Sequence, residues 1–363
     1  MPAGLTRYVL PATNGRDMVQ ASIPEVAFGA VAGLQSPKKV QDNREECMEA
    51  SRLAQREGLV PVVSAIDRNY VPIYSVFLAS FLEHTSPDRE YELILLTDNV
   101  PASAICALQA QTQGYVNVAL RTIDMSACRV PNFSVHDKYT KATFFRLMVP
   151  ELLAEYDRAL YLDADIVVLG DVAELFDAHR EELAAAVLDF EMQGMLSDPV
   201  YHMPFCPMYD GYEYLVKYCG MEPSQTASYF NAGVLALNLQ EIRRCKRTEA
   251  CLELLNTKPF AYVDQDILNL AFGGHVQTLP YEWNFVANPN PKIVFTQKLL
   301  EERERASAHI RLLHFAGPQP WREARVIAYE EYFWFYARKS MYYEALLRQK
   351  QDAQIRAQEC PKE

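Results

Sequence analysis

RALYLDADIVVL, residues 158–169, is an apolar run of strand length interrupted by two carboxylates, Asp163 and Asp165. Apolar and polar residues do not alternate on either side of the acids, which is typical of a strand buried on both faces. Because alternate residues of an extended chain project to the same side, both carboxylates are expected on one face. The stretch therefore predicts a core strand that ends at a pair of acids.

The segments around this stretch alternate between predicted strands and helices. LVPVVSAID (residues 59–67) and YELILLTD (residues 91–98) read as buried strands, with a helical spacing of apolar residues between them at 74–83. Further strands are predicted at residues 116–123, 183–188, 229–239 and 309–321, and further helices at 105–111, 140–148 and 264–272. This alternation predicts an α/β fold with a single, mainly parallel central sheet flanked by helices.

The chain divides into three predicted parts. Residues 1–58 form an N-terminal appendage of unknown role with a charged helical run at 40–57, residues 59–325 form the main domain, and residues 326–363 hold a C-terminal helix rich in aromatic and basic residues. Within the main domain, residues 192–225 read as an irregular connection rich in Tyr and Pro. A connection of that length inside a compact domain is usually functional.

Composition restricts the class of protein. Half of the 363 residues are hydrophobic, enough for a substantial core, and 47 acidic against 35 basic residues give a net charge of −12. Binding to nucleic acid depends on clustered Lys and Arg, so a nucleic-acid partner is not expected. The eight cysteines form no C-x-x-C pair, and no apolar stretch reaches the length that spans a bilayer. These features predict a protein of the reducing cytoplasm.

The acid pair predicts a metal site. Carboxylate oxygens favour hard divalent cations such as Mn²⁺ or Mg²⁺, and such an ion can neutralise a diphosphate that an acidic protein would repel. Neither G-x-G-x-x-G nor G-x-x-x-x-G-K-S/T occurs among the 14 glycines, so a Gly-rich phosphate loop is not predicted. The alternative is a strand that simply ends in solvated acids.

Three further polar positions stand out. Asp264 and Asp266 flank Gln265 just before the helical run ILNLAF, so Asp264 is either a site residue or an N-cap. His314 ends an apolar run before a Gly-Pro turn, and its imidazole is either a third metal ligand or a structural residue. Arg146 is the one charge in an apolar segment, which indicates either a buried ion pair or a contact with substrate.

Four blocks, taken in order, resemble glycosyltransferase family 8, which includes bacterial lipopolysaccharide galactosyl- and glucosyltransferases and glycogenin. They are SAIDRNY (64–70), YLDADIVVLGD (161–171), YFNAGVLALNL (229–239) with YVDQDILN (262–269), and LLHFAGPQPW (312–321). The resemblance implies a glycosyltransferase A-type fold with a Rossmann-like nucleotide-binding half, and makes residues 59–325 the catalytic domain. It also implies retaining transfer of glucose or galactose from a UDP-sugar to a glycan or glycolipid acceptor, in lipopolysaccharide or other surface polysaccharide synthesis.

The resemblance assigns roles residue by residue. The positions that match the family's uracil and ribose contacts are Ala65, Asp67, Asn69 and Tyr70. Those that match the ligands of Mn²⁺ (or Mg²⁺) are Asp163, Asp165 and His314. Those that match the surroundings of the donor sugar, where catalysis occurs, are Arg146, Asp189, Asn231, Ala232, Asp264 and Gln265. Those expected to line the rest of the donor site are Ala164, Gly317, Gln319 and Arg322.

The sequence departs from the family pattern in two places. Gln319 stands where the family usually has a lysine, so one positive contact to the diphosphate is missing, and Arg322 is the expected replacement. The 192–225 connection is longer than expected and lies near the acceptor in the family. The identity of the acceptor therefore cannot be transferred.

Residues 329–350 read as an aromatic helix, and residues 322–350 hold six basic against four acidic residues. This helix either docks on its own domain or touches the inner face of a membrane through Trp334 and the tyrosines. Two other functions fit parts of the sequence. DADIV after a buried strand matches the nucleophile motif of haloacid-dehalogenase-type phosphatases, although that strand opens their fold, and Gln319 is compatible with a sugar-nucleotide-binding protein without turnover.

Overall fold

A computed structural model describes residues 58–130, 140–178, 181–204 and 206–359. The predicted appendage, apart from Gly58, and its helical run at 40–57 lie outside these residues. The described strands, in chain order, are β1 Leu59–Asp67, β2 Glu90–Asp98, β3 Val118–Asp124, β4 Arg158–Leu162, β5 Ile166–Val168, β6 Ala184–Leu188, β7 His202–Met203, β8 Cys206–Asp210, β9 Phe230–Asn238, β10 Val276–Leu279, β11 Phe285–Val286 and β12 Leu312–His314.

The helices surround these strands. The α-helices are α1 Val71–Leu82, α2 Ala102–Thr112, α3 Val149–Leu152, α4 Ala173–Ala178, α5 Phe190–Ser197, α6 Gly211–Glu213, α7 Leu239–Arg244, α8 Arg247–Leu255, α9 Val263–Phe272, α10 Gln297–Ser307, α11 Glu330–Ala337 and α12 Tyr343–Glu359. The 3₁₀ helices are Lys141–Met148, Pro223–Ser228 and Tyr281–Asn284, and a π-helix covers Tyr214–Cys219.

The central sheet has seven strands in the order β10-β6-β9-β4-β1-β2-β3. β1 pairs in parallel with β2 and β4, and β2 with β3, whereas β9 runs antiparallel between β4 and β6. Residues 159–162 of β4 are buried, as expected of a middle strand covered on both faces. The prediction of a mainly parallel α/β sheet is confirmed.

The two acids do not lie in extended chain. β4 ends at Leu162, β5 begins at Ile166, and Asp163 and Asp165 occupy the turn between them. β5 leaves the central sheet and joins β12 and β11 in a smaller sheet. The expected alternation of an extended strand is therefore wrong here, because a change of sheet, rather than the pleat, orients the two carboxylates.

The connection at 192–225 is more regular than predicted. It holds most of α5, the β7–β8 hairpin, α6, the π-helix and the first half of a 3₁₀ helix. Tyr214 is fully buried and its ring stacks on that of Tyr218 at 5.5 Å between centroids. Tyr residues that read as irregular sequence thus build part of the core.

The C-terminal segment forms two helices, α11 and α12, where one was predicted at 329–350. Residues 338–342 separate them. Both helices contribute to an apolar cluster with α1 and with Trp321, whose buried members include Ile73, Val76, Phe333, Tyr336, Ala337 and Leu346. The segment packs on the main domain, as the docked interpretation expected. No helix in the described ranges is long and apolar enough to cross a membrane.

Two phenylalanines of α11 test this packing. Phe333 is 2% exposed and Phe335 is 50% exposed on the same helix. Phe333→Ala is expected to lower the free energy of unfolding by about 3 to 5 kcal/mol, because it leaves a cavity beside Trp321. Phe335→Ala, the matched control, is expected to cost less than about 1 kcal/mol. Equal losses in urea denaturation would show that α11 is not docked through this face.

Candidate active site

Asp163, Asp165 and His314 converge where β4, β5 and β12 meet. One ligand atom from each lies within 4.8 Å of the other two. His314 Nε2 is 3.3 Å from Asp165 Oδ1 and 3.8 Å from Asp163 Oδ2. His314 is the last residue of β12, as predicted, and β12 pairs with β5, which places the imidazole beside the acid turn. The three ligands predicted from the sequence therefore lie together. They are called the metal cluster below, after their predicted role.

A chain of amides orients the imidazole of His314. Asn284 Nδ2 donates to Asn231 Oδ1 at 2.8 Å, so the Oδ1 atom of Asn284 faces His314 Nδ1, also at 2.8 Å. An amide oxygen accepts a hydrogen bond, which places a proton on His314 Nδ1 and makes Nε2 the nitrogen that faces the two carboxylates. Such an outer partner is characteristic of metal-binding histidines. Sequence reasoning missed Asn284, which belongs to none of the four blocks.

Arg146 contacts the turn between β4 and β5 that carries Asp163 and Asp165. Its Nη2 donates to Asp163 Oδ1 at 2.8 Å, and Nη1 donates to the carbonyl of Ala232 at 2.6 Å. Its Nε lies 2.8 Å from Asp264 Oδ2 in an ion pair, while the Nε proton is directed to the carbonyl of Thr143. Of the two interpretations of this arginine, the structure shows the buried ion pair.

The pKa values of three acids, Asp163, Asp165 and Asp264, are set by burial on one side and by neighbouring charges on the other. Burial raises the pKa of Asp163 even though Arg146 opposes it, and repulsion from Asp165 adds to the effect. Burial alone would also raise the pKa of Asp165, but the hydrogen bond and charge of His314 lower it. Burial raises the pKa of Asp264 to about 7 against the pull of Arg146. Like charges this close drive two pKa values apart, and a divalent cation would relieve that repulsion.

Gly233 has no side chain, and the place where its Cβ would lie is taken by His314 and Asp163. A Cβ atom there would collide with the imidazole of His314 and lie 2.9 Å from Asp163 Oδ2. The backbone of β9 also contacts the turn directly, because the amide of Asp163 donates to the carbonyl of Gly233 at 2.9 Å. A glycine inside a strand often marks such a close approach. That signal was present in YFNAGVLALNL, but the sequence prediction did not use it.

A second group of polar side chains is linked around Asp189. Asp189 Oδ1 caps α5 by accepting from the amide of Met192 at 2.7 Å, and its Oδ2 accepts from Asn231 at 2.9 Å and from Gln265 at 3.2 Å. Gln265 Oε1 in turn accepts from the amide of Ala232 at 3.1 Å. Four predicted donor-sugar residues are thus connected. Because Asn231 also bonds Asn284, this group continues into the metal cluster.

The two acids beside Gln265 face different surroundings. The N-cap of α9 is Tyr262, so the N-cap interpretation of Asp264 is wrong, and Asp264 instead pairs with Arg146 from the first helical turn. Asp266 is fully buried and accepts hydrogen bonds from the hydroxyls of two tyrosines. It takes no part in the metal cluster.

The predicted nucleoside side lies at the carboxyl end of β1. Asp67 Oδ1 accepts from the amides of Asn69 and Tyr70 at 2.8 and 3.1 Å, which forms the turn into α1. Ala65 lies two residues earlier on the same strand and is half-buried. Ligands of open α/β sheets bind outside such strand ends.

Tyr70 connects the nucleoside side to the metal cluster. Gln319 Nε2 donates to the Tyr70 hydroxyl at 3.2 Å and to Asp165 Oδ2 at 3.4 Å. The guanidinium carbon of Arg322 lies 5.7 Å from the centre of the Tyr70 ring. Gln319 is therefore already engaged by protein groups, whereas Arg322 is exposed beside it.

The two remaining predicted positions lie within the backbone of the site. Ala164 is buried in the turn between the two acids. A Cβ atom on Gly317 would lie 3.0 Å from the carbonyl oxygen of Asn288, so little space remains there for a side chain. Neither residue offers a polar side-chain atom, so any polar contact from them comes from the backbone.

Gly233→Ala tests whether this glycine makes room for His314 and Asp163. The added methyl group must displace His314 or Asp163, so the affinity for Mn²⁺ is expected to fall by about ten- to a hundredfold. Isothermal titration of Mn²⁺ measures this loss. Gly170→Ala is the matched control, because the three atoms nearest to its added Cβ all belong to the flexible side chain of Arg311. Unchanged Mn²⁺ affinity in Gly233→Ala would contradict the assigned cluster.

Known proteins share both the sequence pattern and the fold. A lipopolysaccharide 1,2-glucosyltransferase of Escherichia coli is 27% identical over 285 residues, which covers 74% of this chain and 75% of that protein. A lipopolysaccharide 1,3-galactosyltransferase of Salmonella typhimurium is 22% identical, covering 75% of this chain and 76% of its own length.

Solved structures give the same architecture. The bifunctional glycosyltransferase WbbM superposes with a TM-score of 0.72 at 24% identity, covering 82% of this chain and 52% of that one, so the match spans about half of WbbM. The galactosyltransferase LgtC, in complex with donor and acceptor sugar analogs, superposes with a TM-score of 0.59 at 23% identity, covering 78% of this chain and 96% of LgtC. The fold is the glycosyltransferase A type.

The sequence profile of glycosyl transferase family 8 matches residues 61–325, which include all four blocks and every residue of the site described above. The match covers most of the chain and the predicted catalytic domain. The chain therefore belongs to glycosyl transferase family 8.

Proposed function

We propose that this chain is a metal-dependent, retaining hexosyltransferase that moves glucose or galactose from a UDP-sugar to a glycan or glycolipid acceptor. Family membership and the lipopolysaccharide transferases among its relatives support a role in surface polysaccharide synthesis. The observation that carries the proposal is the geometry of His314, whose Nδ1 is bonded to Asn284 and whose Nε2 faces two carboxylates.

The residues present fit a divalent cation. Two carboxylates and one neutral imidazole form a mixed donor set that suits Mn²⁺, with Mg²⁺ as the second choice. Asp163, Asp165 and His314 would hold the ion, and Asn284 and Arg146 would keep two of these ligands oriented. When bound, the cation neutralises charge on the diphosphate leaving group. Arg146 and His314 offset only part of the cost of burying the two carboxylates. This is consistent with a site built for an added positive charge.

The other polar residues would bind the donor. Asp67 Oδ1 is occupied by backbone amides, so its Oδ2 is the oxygen offered to the uracil N–H or a ribose hydroxyl. Asp189, Asn231 and Gln265 form one linked group, which would read the sugar hydroxyls in fixed directions. Whether Gln265 or Asp189 attacks the sugar, or the acceptor attacks from the leaving-group side, both routes retain the configuration.

Two other functions remain less supported. A phosphatase of the haloacid dehalogenase type would start with the DADIV strand, whereas here β4 follows three strands and pairs with β1 in the middle of the sheet. A sugar-nucleotide-binding protein without turnover could use the same three ligands, and it would bind the UDP-sugar without releasing UDP. Membership of a transferase family also disfavours both.

Contact with a membrane is a further part of the proposal. Tyr332, Phe335 and Met341 are 40%, 50% and 64% exposed near the basic Arg338 and Lys339. Aromatic and basic residues side by side suit the inner surface of an anionic bilayer, which would make this a cytoplasmic, peripheral enzyme. Flotation with anionic vesicles that is unchanged in Tyr332→Ala/Phe335→Ala would contradict this part.

The proposal is tested with a panel of UDP-sugars and Mn²⁺, following UDP release with and without candidate glycans. Release is expected with UDP-glucose or UDP-galactose, to be abolished by chelator, and to give an α-linked product by proton NMR. Asp163→Asn and Asp165→Asn are expected to lose nearly all turnover. Asp177→Asn, which changes an acid paired with Arg89 outside the site, is the control and is expected to keep it.

Three outcomes would overturn parts of the proposal. Full activity of either site variant in chelator would exclude the metal role. An inverted product would exclude retention. Hydrolysis of simple phosphate esters without any use of a UDP-sugar would favour the phosphatase.

Arg322 is expected to supply the cation that Gln319 does not. Gln319 donates only neutral hydrogen bonds, and a charge-assisted contact to the diphosphate is worth on the order of 1.5 to 3 kcal/mol. Arg322→Ala is therefore expected to lower kcat more than about tenfold, and Gln319→Lys in that background to restore part of it. Arg325→Ala is the control, because Arg325 is exposed and pairs with Glu323. Equal kcat values for the two arginine variants would refute the compensation.

A further inference from the structure

Asp266 and Tyr229 form a buried pair directly behind Gln265. The Tyr229 hydroxyl donates to Asp266 Oδ1 at 2.6 Å, and Gln265 Nε2 lies 3.3 Å from the same hydroxyl. Tyr229 and Asp266 are 0% and 1% exposed, so neither can reach a substrate. The Tyr229 hydroxyl contacts the donor-sugar group through Gln265, so the side chains of this pair can act on the reaction through that residue.

Asp266 behaves as an acceptor on every side that the structure describes. Its Oδ2 accepts from the Tyr214 hydroxyl at 2.5 Å and from the amide of Tyr262 at 2.9 Å, while Oδ1 accepts from Tyr229. Three donors on one carboxylate favour its ionised form, which can only accept. The proton of the Tyr229 hydroxyl is consequently committed to Asp266, and the oxygen of that hydroxyl is left to accept from Gln265.

The direction of this hydrogen bond determines the orientation of the side-chain amide of Gln265. Tyr229 and Asp189 each accept from Nε2, so both amide protons point into the protein. On the other side, the backbone N–H of Ala232 requires an acceptor, and Oε1 provides it at 3.1 Å. A flipped amide would set Oε1 against the Asp189 carboxylate and set Nε2 against an N–H donor. Three partners thus select a single orientation.

We propose that Tyr229 is a positioning residue, which, polarised by Asp266, holds the Gln265 amide with its carbonyl oxygen available to the donor sugar. The inference rests on the proposed function and deepens it. Oε1 has a second lone pair, to which no residue in the described ranges donates. A side chain that must act at one atom of the sugar gains from such preorganisation, since small misplacements are costly in rate.

Tyr214 provides a matched control for Tyr229. Both tyrosines are fully buried and donate to the same carboxylate, but only Tyr229 contacts Gln265. Tyr229→Phe and Tyr214→Phe each remove one buried hydroxyl bonded to Asp266, and both are expected to lower the free energy of unfolding. Only Tyr229→Phe frees the amide of Gln265 from one of its partners.

The test compares the kinetics of the two variants with those of the wild type. Tyr229→Phe is expected to lower kcat by about ten- to a hundredfold with little change in the KM for the UDP-sugar. Tyr214→Phe is expected to keep kcat within about twofold of the wild type when both are folded. A double-mutant cycle adds a second readout: in a Gln265→Ala background, Tyr229→Phe is expected to lower kcat no further.

The outcomes separate this inference from the function on which it rests. A wild-type protein that transfers no sugar would refute the proposed function. A wild type that turns over, with equal kcat losses in Tyr229→Phe and Tyr214→Phe or with additive losses in the cycle, would refute the positioning role alone. If Tyr229→Phe does not fold, Asp266→Asn decides, because an amide can donate to Tyr229 and reverse the polarity. A normal kcat in that variant would refute the inference.

Discussion

The site depends on holding two carboxylates side by side in a largely buried turn. Asp163 and Asp165 lie where β4 leaves the central sheet, and taking two like charges out of water is costly unless positive charge accompanies them. Arg146 supplies one permanent positive charge to Asp163, and His314 faces both acids. The surrounding structure can be understood as a means of keeping these few groups in place while leaving room for a cation.

Each neighbouring element contributes to this constraint. β9 crosses antiparallel beside β4, and Gly233 lets its backbone approach the acids closely. β12 pairs with β5 and delivers His314. The amides of Asn231 and Asn284 then connect the metal cluster to the group around Asp189, so that the ion and the donor sugar would be bound by one continuous network. A displacement of the metal cluster would therefore also displace the group around Asp189, and the reverse.

Much of this could be predicted because strand ends in a parallel sheet meet at one edge. The buried strands, the acid pair and His314 are all readable from apolar runs that stop at polar residues. Other features depend on tertiary contacts with no local signature. Asn284 is the last residue of a short 3₁₀ helix, and Asp266 differs from Asp264 only in the helix face on which it lies. The Tyr-rich 192–225 connection read as irregular because its aromatic residues pack against distant elements rather than at a helical or strand period.

The proposed metal role requires that Asp163, Asp165 and His314 together bind one divalent cation that also contacts the nucleotide. Crystals grown with Mn²⁺ and UDP, measured at the manganese absorption edge, test it most directly. One anomalous peak is expected within coordination distance of both carboxylates and of His314 Nε2, with diphosphate oxygens on its open side. A peak elsewhere, or bound UDP with no anomalous signal between these three residues, would contradict it.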